Sequence, residues 1–343
     1  MKLRLWSLLA LLLTSNAHAE QPNVLLITVD DMNCDSVGAY GCKLPDTTPN
    51  MDKLASESLR FMHAHVQVGN CMPSRNVMWT GRYPHNNRVE GFYQIKDPKY
   101  PHLCDLMKSS GYFAVIRGKH THSTPYNPYP WDVVLELDNG RKNLKNPHSY
   151  YTSTKRGIKA SGDKPFCVMV NISDPHRPYY TGPKDPFQPT RTFSPDEMPI
   201  PGFLFDHLKV RQELAAYYSS VRRADDCVGG TVKALDESGE RDNTVVIFLS
   251  DHGMPLLFAK TQLYYHSTHT PLMVRWPGVT KANTRDTQHV VSAIDLLPTI
   301  LDITNTKHPD GLEGRSLASL LKGQTQANRD FAYTVYNLSL IHI

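Results

Sequence analysis

The 343-residue sequence has almost no excess of either charge: 37 Lys and Arg stand against 33 Asp and Glu, a net of +4. That balance excludes an acidic solvating tail and a strongly basic nucleic-acid binder, so no nucleic acid is expected as a partner. None of its six cysteines, at positions 34, 42, 71, 104, 167 and 227, forms a Cys-x-x-Cys pair. A zinc ribbon or a thioredoxin-like site is therefore not expected. Nor do the spacings suggest a small disulfide framework, which a chain this long does not need. Cys104 and Cys167 lie in apolar runs and read as buried thiols acting as small hydrophobes. Internal repeats and low-complexity tracts are also lacking. After the N-terminal segment, no run approaches the ~20 apolar residues a membrane-spanning helix needs.

The N-terminal segment has a separate explanation. Lys2 and Arg4 precede the apolar core Leu8 to Leu13, and Ala17-His18-Ala19 provides a small-x-small cleavage site. Residues 1–19 are predicted to be a signal peptide, giving an exported chain in the periplasm or the medium. No Cys follows the site, so no lipid anchor is expected.

What the sequence does have is alternation. Short apolar runs at Val24 to Val29, Tyr112 to Ile116, Phe166 to Ile172, Val245 to Leu249 and Leu272 to Trp276 read as strands buried on both faces. Helix patterns fall at Asp52 to Arg60, Leu214 to Glu237 and Asp295 to Ile303. The stretch from Pro178 to Phe205 reads as a long surface excursion. Strands alternating with helices predict an α/β fold, a mostly parallel central sheet sandwiched by helices.

In such sheets ligands bind beyond the carboxyl ends of the strands. The first strand runs into Asp30-Asp31, and the run Val245 to Leu249 into Ser250-Asp251-His252-Gly253. Adjacent carboxylates at a strand end repel each other unless a cation or donors lie between them. One such pair alone would be a solvated turn or a helix cap. Two in one sheet, rich in oxygen, point to a hard cation, Ca²⁺ or Mg²⁺ before zinc. A third element is Cys71-Met72-Pro73-Ser74-Arg75, followed by Thr80-Gly81-Arg82. In isolation it reads as a turn entering a helix, with Ser74 near the N-cap and Arg75 solvated.

Taken together, these strings resemble the type I, formylglycine-dependent sulfatases of the alkaline-phosphatase-like superfamily. The likeness continues through Gly118-Lys119-His120-Thr121-His122, Asp174-Pro175-His176-Arg177 and Lys260-Thr261-Gln262-Leu263-Tyr264. Within the family, Asp-Pro-His-Arg, the continuation Tyr264-Tyr265-His266 and the stretch Ser292 to Asp302 are similar to the heparan N-sulfatase (N-sulfoglucosamine sulfohydrolase) group.

The resemblance implies a set of roles. Asp30, Asp31, Asp251 and His252 would hold one divalent cation, Ca²⁺, with residue 71 also bound to it. His252 departs from the Asn of many members. Cys71 would be oxidised to formylglycine (3-oxoalanine) by a formylglycine-generating or anaerobic sulfatase-maturating enzyme. One hydroxyl of its hydrate would attack sulfur, and the other would let sulfate be eliminated. Arg75 and Lys119 would hold residue 71 and the sulfate oxygens. The base for elimination would be His122, with His120 as the alternative because Thr121 breaks the commoner Lys-x-His pattern. His176, with Lys260 beside it, would protonate the leaving group. The substrate implied is a sulfated saccharide, N-sulfoglucosamine first and O-sulfated sugars second. Specificity is expected from Glu90 to Tyr93, Pro125 to Trp131 and the 178–205 excursion.

Two other readings stand beside this one: a phosphonate monoester or phosphodiester hydrolase of the same superfamily, and a catalytically inactive glycan-binding relative. Residues 20–328 are expected to form the catalytic domain. Residues 329–343 would begin a largely missing C-terminal subdomain, with Arg329 to Tyr336 as its first strand and 338–343 as non-native sequence.

Overall fold

The structure, a computed structural model, describes residues 21–135 and 143–336. The expected signal peptide and the 338–343 tail lie outside the described residues.

Among the described residues ten strands form in chain order: β1 (Asn23–Asp30), β2 (Leu59–Phe61), β3 (Ala64–His65), β4 (Phe113–Arg117), β5 (Val133–Val134), β6 (Phe166–Pro175), β7 (Thr244–Ser250), β8 (Leu272–Arg275), β9 (Thr284–Asp286) and β10 (Val291–Ser292). Eight make one sheet in the order β5-β4-β6-β1-β7-β8-β2-β9, and β3 pairs with β10 separately. Within the large sheet only β8 runs against the rest.

Alternation within the central strands builds a core on each side. Leu25, Ile27 and Val29 of β1 join Val168, Val170, Val246 and Phe248 under the helices Pro147–Ala160 and Leu208–Asp236. Val24 and Leu26 point the other way, with Met169, Ile247 and Leu249, under the helices Cys71–Thr80, Leu103–Ser109 and Leu296–Ile303. A strand covered on both sides carries apolar residues at every position, which is why these segments read as continuous runs. Each fully buried Val, Leu or Ile contributes about 1.5–3 kcal/mol of transfer free energy.

The pairing registers determine where the polar strand ends meet. Val29 stands opposite Ser250, so Asp30-Asp31 and Asp251-His252 leave β1 and β7 side by side. Across β1, a register shift after Val29 sets Asp30 opposite Pro175. Arg117 pairs with Val170, and so Gly118-Lys119 leaves β4 at the same end.

Several boundaries differ from the sequence expectation. The helix expected at Asp52 to Arg60 spans Pro49–Ser56, because Pro49 starts it and Arg60 belongs to β2. The longest helix begins earlier, at Leu208. Pro298 does not interrupt Leu296–Ile303, since it lies in the first turn, where a missing N–H costs little. No strand forms at Arg329 to Tyr336: Val335 donates one backbone bond to Gln67, and no partner strand continues the pairing. Residues 178–205 do form an irregular excursion of bends and turns, with a short 3-10 helix at Pro195–Glu197. No helix among the described residues is long and apolar enough to cross a membrane. All six cysteines are free.

Candidate active site

Cys71 is the first residue of a fully buried ten-residue helix that ends on Gly81, whose φ of 62° favours glycine. Its N-terminal end, where unpaired N–H groups favour anions, faces the strand ends. Ser74 is not the cap: Asn70 occupies that position, and the Ser74 hydroxyl donates to the Asp251 carbonyl at 2.6 Å. This bond ties the helix to the end of β7.

Around the Cys71 Sγ stand Asp30 Oδ1 at 3.4 Å, His252 Nε2 at 3.3 Å and Lys260 Nζ at 3.7 Å, with Asp31 Oδ1 at 3.9 Å. Arg75, far from being solvated, is fully buried. Its Nε and Nη2 hold Asp251 Oδ2 at 3.0 and 2.9 Å, and Nη2 lies 3.8 Å from Asp30. Nη1 donates to Thr28 Oγ1 at 2.7 Å and Asn171 Oδ1 at 2.6 Å. Thr28 and Asn171 escaped the sequence reading. Their signal was a polar residue inside an otherwise apolar central strand.

Lys119 forms an ion pair with Asp30. It is aimed by Gly118, whose φ is 78° and whose absent Cβ would overlap the Asn171 carbonyl. Lys260 donates to both oxygens of Asp31, at 2.8 and 2.9 Å. Three cations thus face three buried carboxylates. Burial by itself would raise the Asp30 pKa, but Lys119 and Arg75 hold it well below the ordinary carboxylate range. Burial pushes Asp251 up, against the pull of Arg75.

The donor set could hold a metal ion. Ligand atoms of Asp30, Cys71, Asp251 and His252 all lie within 4.8 Å of one another, and all four residues are buried. His252 Nδ1 donates to the Gly253 carbonyl at 3.0 Å, so Nε2 is the ring nitrogen directed at Asp31 and Asp251. Asp31 stands at the rim of this set, 3.3 Å from His252 Nε2, with Lys260 on both its oxygens.

The two candidate bases separate. For His122, burial, then Lys119 and Arg75, push the pKa down to about 3, and its Nδ1 has no hydrogen-bond partner among the described residues. Phe92 of the 90–93 loop meets its ring edge-on at 5.4 Å. His120 turns instead to Tyr129, at 5.1 Å. His176 follows β6, with Nε2 3.9 Å from Asp31 and Nδ1 donating to the Arg177 carbonyl at 2.6 Å. Direct contacts bring nine of the residues named from the sequence together: Asp30, Asp31, Cys71, Arg75, Lys119, His176, Asp251, His252 and Lys260. A groove of about 540 Å³ opens beside Lys260, lined by Arg177, Glu213, Phe258 and Tyr264.

The profile of the sulfatase family matches residues 22–306. The chain belongs to the sulfatase family. It is similar to the human protein named N-sulphoglucosamine sulphohydrolase, 30% identical over 347 aligned positions, covering 92% of this chain and 68% of that one. Among solved structures, a protein described in complex with its substrate D-glucosamine-2-N,6-O-disulfate superposes with a TM-score of 0.72 at 18% identity, covering 93% of this chain and 85% of that one. The phosphonate monoester hydrolase of Agrobacterium radiobacter superposes at 0.69 and 20% identity, covering 90% and 79%. At those identities the structural likenesses show a shared fold. The chain spans about two thirds of the length of the curated relatives it matches.

Proposed function

We propose that this exported protein hydrolyses sulfate esters or sulfamates of a carbohydrate, using Cys71 matured to formylglycine and one Ca²⁺ ion. The observation that carries this reading is the placement of Cys71: at a helix N-terminus, its Sγ within 3.3–3.9 Å of His252, Asp30, Lys260 and Asp31. So many cations around one position suit an anionic substrate. A formylglycine-generating or anaerobic sulfatase-maturating enzyme is the partner implied.

Asp30, Asp31, Asp251 and His252 would hold the ion, which would supply positive charge where a hydroxyl of residue 71 loses its proton. The matured residue would supply a geminal diol, able to accept the sulfuryl group through one oxygen and expel sulfate through the other. Arg75 and Lys119 neutralise charge that builds on the sulfate oxygens. His122, held neutral by burial and by its cationic neighbours, accepts the proton lost as sulfate is expelled. His176 delivers a proton to the departing oxygen or nitrogen. Its Nδ1 is committed to the Arg177 carbonyl, so Nε2 is the nitrogen that faces the site. Lys260 stands beside that path.

Similarity to the human N-sulphoglucosamine sulphohydrolase makes N-sulfoglucosamine the first substrate to test. Sulfate release from N-sulfoglucosamine, glucosamine 6-O-sulfate and 4-nitrophenyl sulfate should be measured beside turnover of a phosphonate monoester, using protein co-produced with a maturating enzyme. Preference for the sulfated compounds is expected. Preference for the phosphonate would transfer the chain to the alternative reading, and no turnover of any compound would favour a glycan-binding role.

A further inference from the structure

The turn that carries His176 is held from beneath by a residue outside every motif named above. Lys145 Nζ donates to the carbonyls of His176 and Pro178, at 2.6 Å each, and lies 2.8 Å from Asp174 Oδ1. An ammonium has three hydrogens, and these three contacts use them all. Asp174 is fully buried, and its other oxygen receives Arg223 Nε at 2.6 Å. Arg223, buried in the long helix, extends Nη1 to Asp185 Oδ1 at 3.0 Å and to the Phe187 carbonyl at 2.8 Å. Two carbonyls and a carboxylate converge on the one ammonium; an apolar side chain there would take this donor from both carbonyls and leave Asp174 with Arg223 alone.

We propose that Lys145 is a positioning residue for proton delivery. Anchored through Asp174 to Arg223, it fixes the backbone of residues 176–178 so that the His176 imidazole meets the leaving group. Lys145 itself touches no reacting atom. The inference rests on the reading that His176 protonates the leaving group. A displacement of that ring by about 1 Å is enough to cost up to 100-fold in rate.

The test is the dependence of kcat/KM on leaving-group acidity, measured with 4-nitrophenyl, phenyl and 4-methoxyphenyl sulfate on wild type, Lys145→Met, Lys145→Gln and His176→Ala. The nitrophenolate leaves without a proton, whereas the other two need one. For Lys145→Met, kcat/KM on phenyl and methoxyphenyl sulfate should fall about tenfold or more relative to the nitrophenyl ester. Lys145→Gln, which keeps two N–H donors, should lie between it and wild type. Each ratio comes from a single preparation, so misfolded, metal-free or unmatured molecules cancel out of it. A merely structural lysine would lower all three rates together. If His176→Ala steepens the dependence and both Lys145 variants leave it unchanged, the positioning role is wrong and the role of His176 stands. If His176→Ala also leaves it unchanged, proton delivery by His176 is wrong, and the role of Lys145 falls with it.

Discussion

The two ends of the central sheet are built from similar side chains and behave differently. At the starts of β1, β6 and β7 a groove of about 640 Å³ is lined by Lys155, Lys159, Lys164, Asp163 and Glu240. The three lysines and Asp163 are exposed, so water and salt screen their charges. At the opposite end, Arg75, Asp30, Asp31 and Asp251 have no exposed surface, and each charge is met by a named partner. The roomier groove is therefore the plainer one. Concentrated charge that water cannot reach, and not the size of a cavity, marks the end where chemistry is built.

Substitutions should separate the two ends, and the largest effect is expected at Cys71. Cys71→Ala should reduce sulfate release by about 10⁴-fold or more, measured as kcat on 4-nitrophenyl sulfate. Arg75→Met should follow. It leaves Asp30 and Asp251 without their shared buried cation, and urea unfolding should show a loss of about 3–5 kcal/mol. Removal of divalent ions with EGTA should lower the unfolding temperature, and Ca²⁺ should restore it, with about 2.7 kcal/mol regained at one hundred times the Kd.

His122→Ala should slow turnover by about 100-fold or more, while His120→Ala should leave kcat within a factor of about three. Equal losses from the two would remove the distinction drawn from their surroundings. Lys159→Ala, at the solvated end, should change unfolding free energy by less than about 0.5 kcal/mol. A loss there as large as that of Arg75→Met would break the comparison itself.

Much of this was legible in the sequence because the strand ends carry it. A run of apolar β-branched residues that stops at Asp30 or Asp251 marks a position in the sheet as well as a residue type. The helix Pro147–Ala160 was missed for a physical reason. The residues it buries are Tyr150, Thr154, Gly157 and Ile158, and small or polar side chains at those spacings leave no apolar stripe to read. β2 and β9, three residues each, are too short to show alternation. Asn171 was visible only as an oddity within its strand; its contact with Arg75 depends on a pairing register that no local pattern encodes. Lys145 gave no signal, since nothing nearby in sequence hints at the turn it holds. The choice between His120 and His122 is likewise open in the sequence, because it turns on surroundings no local pattern encodes: Tyr129 beside the His120 ring, and burial with nearby Lys119 and Arg75 for His122.

The most direct test of the central claim is the mass of the peptide containing residue 71, taken from protein that is turning over a sulfate ester. The account predicts that the active preparation carries the aldehyde or its hydrate at position 71, and that activity rises in proportion to that fraction across preparations. Full activity in protein whose residue 71 is entirely an unmodified thiol would contradict it.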